Sequence, residues 1–233
     1  MNTYICLDVE ATGLNPKYDR IIEIGSVKVV EGKICDKFSS FINPGRLLTD
    51  NIISLTGISD KDLSDAPEIS SVIRDFCEFA EDLPLLGHHI ISDFAMIKQA
   101  AVNNKLVFEK EAVDTLRISR ACFPDLKSKR LKDMCAYYHI EHEAHRALND
   151  AMATHELFVK LYSDFGDKYP DLFEPVKLNY KVKKETPIRK AQIEKIQNLC
   201  RNNQVDCPYE IEKMSCNEAS RYIDKLIAVY GKQ

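Results

Sequence analysis

The first 42 residues constrain the fold most. Three β-rich runs follow one another, at residues 3–10, 21–30 and 34–42. They are punctuated by Gly13, by the Glu31-Gly32-Lys33 turn and by Asn43-Pro44-Gly45. The chain therefore opens as an antiparallel meander. Helical patterns dominate afterwards. Ile69, Val72, Ile73 and Phe76 recur at helical spacing after Pro67, and further helices are expected near 94–101, 115–122, 129–138 and 146–165. Two short apolar runs, 83–88 and 112–116, read as strands set between those helices. Strands first, then strand–helix alternation, predict an α/β domain with a mixed five-stranded sheet flanked by helices.

A chain of 233 residues with 45% hydrophobic and 29% charged positions can build a sizeable core and has room for a small second unit. No apolar run approaches the roughly 18–20 residues that span a bilayer. The N-terminus lacks a basic region followed by a signal-type apolar stretch. A cytoplasmic location and no membrane partner are expected. The eight cysteines form no C-x-x-C pair and no zinc-spaced cluster, which suits small buried hydrophobes in a reducing compartment.

Charge is uneven along the chain. Residues 1–174 carry 20 Lys+Arg against 29 Asp+Glu, whereas residues 175–233 carry 12 against 7. An acidic body suits metal binding better than a broad grip on nucleic acid, and a basic tail suits phosphate contact. Residues 171–185 are polar and Lys-rich and read as a linker. Lys177, Lys181, Lys183, Lys184, Arg189 and Lys190 are candidates for phosphate contact, although such a run also fits a solvated linker. Beyond it, Thr186-Pro187 and Ser215-x-x-Glu218 look like helix starts, each followed by an apolar face. A body over 1–170, the linker and a two-helix module over 186–233 are expected.

The chemistry begins in the first strand. Asp8 and Glu10 lie two apart, so period 2 puts both carboxylates on one face. Their neighbours Ile5, Leu7 and Val9 suggest an interior strand, where paired acids repel unless a cation sits between them. The pair alone also fits an exposed strand end. Asp93, where a helix follows Gly87-His88-His89, fits a capping carboxylate as well as a ligand. Asp150 stands in the first turns of a helix apolar on more than one side, and Ala147 and Ala151 there let another backbone approach. His145, just before that helix, also fits a surface histidine. His139, His142 and His155 are read as ordinary packing or surface residues.

Together these pieces resemble the DnaQ-like exonuclease superfamily, in its DEDDh branch and its polymerase III epsilon type. The resemblance rests on Asp8-Val9-Glu10-Ala11-Thr12-Gly13-Leu14, on Asp93 after the Gly87-His88 loop and on His145-x-Ala147-x-x-Asp150. Ile21-Ile22-Glu23-Ile24-Gly25, Leu55-Thr56-Gly57-Ile58 and Ala66-Pro67 add to it, and it covers residues 1 to about 165. It implies a ribonuclease H-like fold and 3′→5′ exonuclease activity on DNA in repair or proofreading. The other readings are RNA ends as substrate and a non-catalytic nucleic-acid or polymerase-binding module. It further implies that Asp8, Glu10, Asp93 and Asp150 hold two Mg²⁺ or Mn²⁺ ions, hard cations that prefer oxygen. His145 would take a proton from the attacking water. Ala11, Thr12, Gly13 and Leu14 would meet the substrate end, with Leu14 beside the terminal bases, and His88 and His89 are further candidates for substrate contact. The family often has Asn where His89 stands and an aromatic residue where Ser92 stands. The implied partners are a nucleic acid with a free 3′ end, single-stranded DNA first, and a polymerase or other DNA-metabolism protein.

Overall fold

The computed structural model describes residues 1–143 and 146–231. Strands β1 (Tyr4–Ala11), β2 (Ile21–Val30) and β3 (Lys33–Phe41) form the expected meander. Helices α1 (Asp50–Thr56), α2 (Asp60–Leu63) and α3 (Ile69–Ala80) lead to β4 (Leu85–Gly87) and α4 (Ile90–Asn103). Then come β5 (Glu111–Asp114), α5 (Thr115–Cys122), α6 (Leu131–Tyr138) and α7 (Ala147–Phe165). The chain ends with β6 (Val176–Lys177), α8 (Lys190–Asn203) and α9 (Cys216–Tyr230). The sheet order is β3-β2-β1-β4-β5-β6. The β1–β2 and β2–β3 pairs are antiparallel, β1–β4 and β4–β5 are parallel, and β6 runs antiparallel to β5.

This order makes β1 a central strand with both faces covered, so apolar side chains alternate to opposite layers. Ile5 and Leu7 pack with Val72, Phe76, Phe94 and Ile97 of α3 and α4. Tyr4 and Cys6 point the other way, into a second core with Ala151, Leu157 and Leu161 of α7. The Tyr4 hydroxyl and His155 Nδ1 share a hydrogen bond at 2.9 Å, so His155 is a packing partner as expected. Asp8 and Glu10 continue the Tyr4–Cys6 row, and that row faces α7.

Two features depart from expectation. The sheet has six strands rather than five, and β6 comes from the segment expected to be a free linker. Val176, Leu178 and Tyr180 alternate with the polar Lys177 and Asn179. That pattern is short enough to be masked by charge, yet it seats Leu178 in the α3–α4 core with Tyr180 packed against it. Residues 50–63 form α1 and α2, which no extended periodicity announced, because each is under eight residues long. The C-terminal helices keep a core of their own, built from Ile196, Leu199, Cys200, Met214, Ala219, Tyr222, Ile223 and Leu226.

If Leu178 is a core residue, Leu178→Ala should lower unfolding free energy by about 2–3 kcal/mol, the usual scale for a buried Leu truncation. Urea denaturation measures it, and a change near zero would mean that the segment is not docked.

Candidate metal centre

The acidic cluster forms where β1 runs out of apolar partners. Asp8 sits opposite Gly25 and Glu10 opposite Glu23 in the β1–β2 register. Both keep an open edge to solvent. Asp150, in the first turn of α7, is buried. One carboxylate oxygen from each of Asp8, Glu10 and Asp150 lies within 4.8 Å of the others. Asp93 approaches from the opposite layer, on α4. Its Oδ1 accepts the Val9 backbone N–H at 3.1 Å, which ties it to the strand between the other two acids.

A close backbone contact sets the position of Asp150. A Cβ on Gly25 would stand 2.0 Å from the Leu148 nitrogen and 2.1 Å from the Ala147 carbonyl carbon. The start of α7 therefore lies directly on the β2 backbone, and Ala147 and Ala151 are small enough to allow it. Glu23 fixes the same end. Its buried carboxylate accepts the Ala147 N–H at 3.2 Å and pairs with Arg146 at 3.2 Å. It thus caps α7 from a neighbouring strand, where the helix dipole favours negative charge. Glu23 was part of a motif in the sequence, but nothing in its spacing showed that it would cap a helix 124 positions away.

The electrostatics are those of like charges forced together. Burial, then Asp93, Asp150, Glu10 and Glu23, drives the Asp8 carboxyl well above the usual carboxylate range. Burial, then Asp150 and Glu23, pushes Glu10 up to about 7. Burial pushes Asp93 up to about 8 against the pull of backbone N–H donors. Without a cation these acids hold protons at pH values where exposed carboxylates have lost theirs. A hard divalent cation removes that repulsion, and oxygen donors are the ligands it takes. The donor set fits such an ion.

The other expected site residues are distributed as follows. Ala11 ends β1, and Leu14 is 96% exposed at the tip of the following loop. Gly13 is pressed against Asp19, which accepts hydrogen bonds from Thr12 Oγ1 and the Asn15 N–H. His88 spends both ring nitrogens inside the protein, on Thr115 Oγ1 at 2.9 Å and the Lys129 carbonyl at 2.7 Å. Burial holds its pKa down. Both ring nitrogens are thus engaged within the protein. His89 is exposed, in a left-handed conformation at the start of α4, with Nδ1 3.0 Å from Ser92 Oγ. His145 lies outside the described residues. His142, read from sequence as ordinary, places Nε2 2.6 Å from Asp150 Oδ1. The motif resemblance singled out His145, and no local pattern marked His142, whose partner lies eight positions further along on α7.

Residues 5–158 match the RNase T family, whose description is Exonuclease. The chain is 42% identical over 170 residues to a DNA polymerase III PolC-type of Bacillus subtilis, which covers 71% of this chain and 12% of that protein. It is 34% identical over 206 residues to a Staphylococcus aureus DNA polymerase III PolC-type, covering 87% of this chain and 14% of the relative. The chain thus spans about an eighth of the length of these curated relatives. Among solved structures, E. coli exonuclease I with a dT13 oligonucleotide superposes at TM-score 0.63 and 20% identity, over 74% of this chain and 43% of that one. Exonuclease X in complex with 5′-overhanging duplex DNA superposes at 0.57 and 22%, over 73% and 99%. These likenesses establish the mixed-sheet, ribonuclease H-like fold.

Two expectations follow from the geometry. Gly25→Ala should force α7 outward, cost about 1–3 kcal/mol as overpacking does, and weaken Mn²⁺ binding by moving Asp150 from Asp8. Calorimetric titration with Mn²⁺ checks it, and intact affinity would argue against the close-approach account. The second concerns pH. The raised acids are protonated in the fold but ionised in the unfolded chain between about pH 4 and 8, so the ion-free protein loses stability as pH rises through that window. Asp8→Asn should therefore stabilise the EDTA-treated protein at pH 8 by on the order of 1–2 kcal/mol, with little gain at pH 4. Thermal melts across pH measure this.

Proposed function

The chain belongs to the RNase T exonuclease family, as its DnaQ-like motifs led one to expect, and on that footing we propose that it is a 3′→5′ exonuclease releasing single nucleotides from DNA ends. The family uses divalent metal ions. The finer reading here is two of them, Mg²⁺ or Mn²⁺, held by Asp8, Glu10, Asp93 and Asp150. The observation that carries the proposal is the convergence of Asp8, Glu10 and Asp150 from two distant segments to within 4.8 Å. Bound ions would supply positive charge to the attacking and leaving oxygens of an in-line displacement at phosphorus.

The chain's own residues do the rest. Asp8 and Glu10 are held rigidly by β1. Asp93 is anchored by the Val9 N–H through Oδ1, which leaves its second oxygen as the one proposed to reach an ion. His142 orients the Asp150 carboxylate through Oδ1, and the Arg146 N–H holds Oδ2 at 3.1 Å. His145 is the residue proposed to take the proton from the attacking water, since histidine is the usual side chain for general-base work near neutral pH. Ala11, at the end of β1, and the loop from Thr12 to Leu14 are where the strand end would lie, with the exposed Leu14 beside the terminal bases, and His89 is a further proposed contact. Apolar contact does not read base identity, so sequence preference should be weak.

DNA is favoured over RNA because the relatives bearing this segment are DNA polymerases by name, and a polymerase is the natural protein partner on the same ground. No helix among the described residues is long and apolar enough to cross a membrane, and the cytoplasm is the proposed location. The proposed division is a nuclease domain over 1–170, a connecting segment over 171–185 and a helical module over 186–233.

Digestion of 5′-labelled DNA and RNA oligonucleotides tests this. Mg²⁺ or Mn²⁺ should support stepwise shortening of single-stranded DNA from the 3′ end, and EDTA should stop it. Asp8→Ala and Asp150→Ala should abolish turnover, and His145→Ala should lower it about 10²–10⁴-fold, the scale of a general-base contribution. Internal cuts, or preferential digestion of RNA, would overturn the reading.

A further inference from the structure

Four cations gather beside the substrate loop from three separate stretches of chain. Their convergence begins with an ion cluster that fixes α9 against that loop. Glu218, buried in the first turn of α9, binds Arg20 at 2.5 Å and also binds Arg46, while its oxygen accepts the Ser215 N–H. Glu185 reaches the same Arg20 at 3.1 Å. Arg46 donates to the Tyr18 carbonyl at 3.1 Å. These bonds neutralise Arg20 and Arg46 and clamp the loop that carries Thr12, Gly13 and Leu14.

The charges around Tyr18 are left without that compensation. Arg221, one helical turn beyond Glu218 and therefore on the same side of α9, lies 3.6 Å from the Tyr18 ring centre. Lys17 donates to the Tyr18 hydroxyl at 2.6 Å. The phenol is held below its usual pKa, first by that hydrogen bond and then by the charges of Lys17, Arg221 and Lys183. Lys225, one turn further along α9, lines a cleft of about 260 Å³ with Tyr18, Tyr209 and Arg221. Among the described residues, none of Lys17, Lys183, Arg221 and Lys225 pairs with a carboxylate. Asp19 and the Arg-paired Glu218 also line this cleft, but the cations outnumber them and, on a chain of net −4, form a site for an anion that arrives from outside. Tyr18 is four residues from Leu14, hence at most about 14 Å away along the chain.

We propose that Lys17, Lys183, Arg221 and Lys225 form a contact surface for the phosphodiester backbone of the DNA strand, a few nucleotides from its 3′ end. The surface rests on the proposed activity only for the identity of that strand. It makes the C-terminal helices part of the substrate track rather than an appendage, and it gives a positive foothold to a body whose own charge repels DNA. The aromatic side chains interleaved with the cations suit a single strand.

Fluorescence anisotropy with a 5′-fluorescein oligothymidylate about 20 nucleotides long, in EDTA to prevent digestion, tests it across a salt series. Each phosphate contact removed should flatten the slope of log affinity against log salt by about 0.7. Lys17→Ala, Lys183→Ala and Arg221→Ala combined should therefore lose about 2 in slope, whereas the remote control Lys160→Ala should match the wild type. Arg221→Lys keeps the charge and should restore most of what Arg221→Ala loses. An unchanged slope in the triple variant, or an Arg221→Lys protein as weak as Arg221→Ala, would overturn the assignment. A wild-type protein that digests no DNA would sink the proposed activity, and the slope comparison would still decide the surface.

Discussion

The repulsion among Asp8, Glu10, Asp93 and Asp150 is the interaction that the rest of the structure must withstand. Carboxylates do not assemble in a partly buried space by their own preference. They are held there by packing that is stronger than their repulsion: a central strand buried on both faces, a helix seated on the β2 backbone and a second helix reaching in from the opposite layer. A cluster free to relax would spread apart when ion-free, so it is packing that keeps the carboxylates of Asp8, Glu10 and Asp150 within 4.8 Å of one another.

Glu23 shows how the scaffold keeps that arrangement. It is another acid in the same neighbourhood, but its role is opposite to that of Asp8. A backbone N–H and the Arg146 guanidinium satisfy it, so it anchors α7 where Asp8 is left to repel. Losing Arg146 would leave a buried charge without its partner, a more costly state than never having had the pair. The same logic recurs at the far side of the loop, where Glu218 neutralises Arg20 and Arg46 and so fixes a helix from the C-terminal module. Two buried acids, Glu23 and Glu218, thus hold α7 at the acidic cluster and α9 against the loop that follows β1.

Much of this was legible before any coordinates. The meander, the helices over 115–122 and 146–165 and the two C-terminal helices follow from periodicity and capping signals that are local by nature. The sixth strand was hidden because its alternation spans only Val176 to Tyr180, within a polar, Lys-rich stretch. The engagement of His88 is not legible locally, because its two hydrogen-bond partners lie 27 and 41 positions away. His142 was passed over for the same reason, since its partner is decided by how the loop folds back on α7.

Period 2 in the first strand determined by itself that Asp8 and Glu10 share a face, and helical spacing determined that Asp150 lies near the start of an apolar helix. Those are properties of one chain segment at a time, set by backbone geometry. Only the tertiary structure decided that the shared face looks at α7 rather than α4. It decided too that Gly25 lets the helix come close enough, and that the basic residues of three segments meet at Tyr18. Such outcomes depend on which surfaces pack together, and packing joins positions that no local pattern relates.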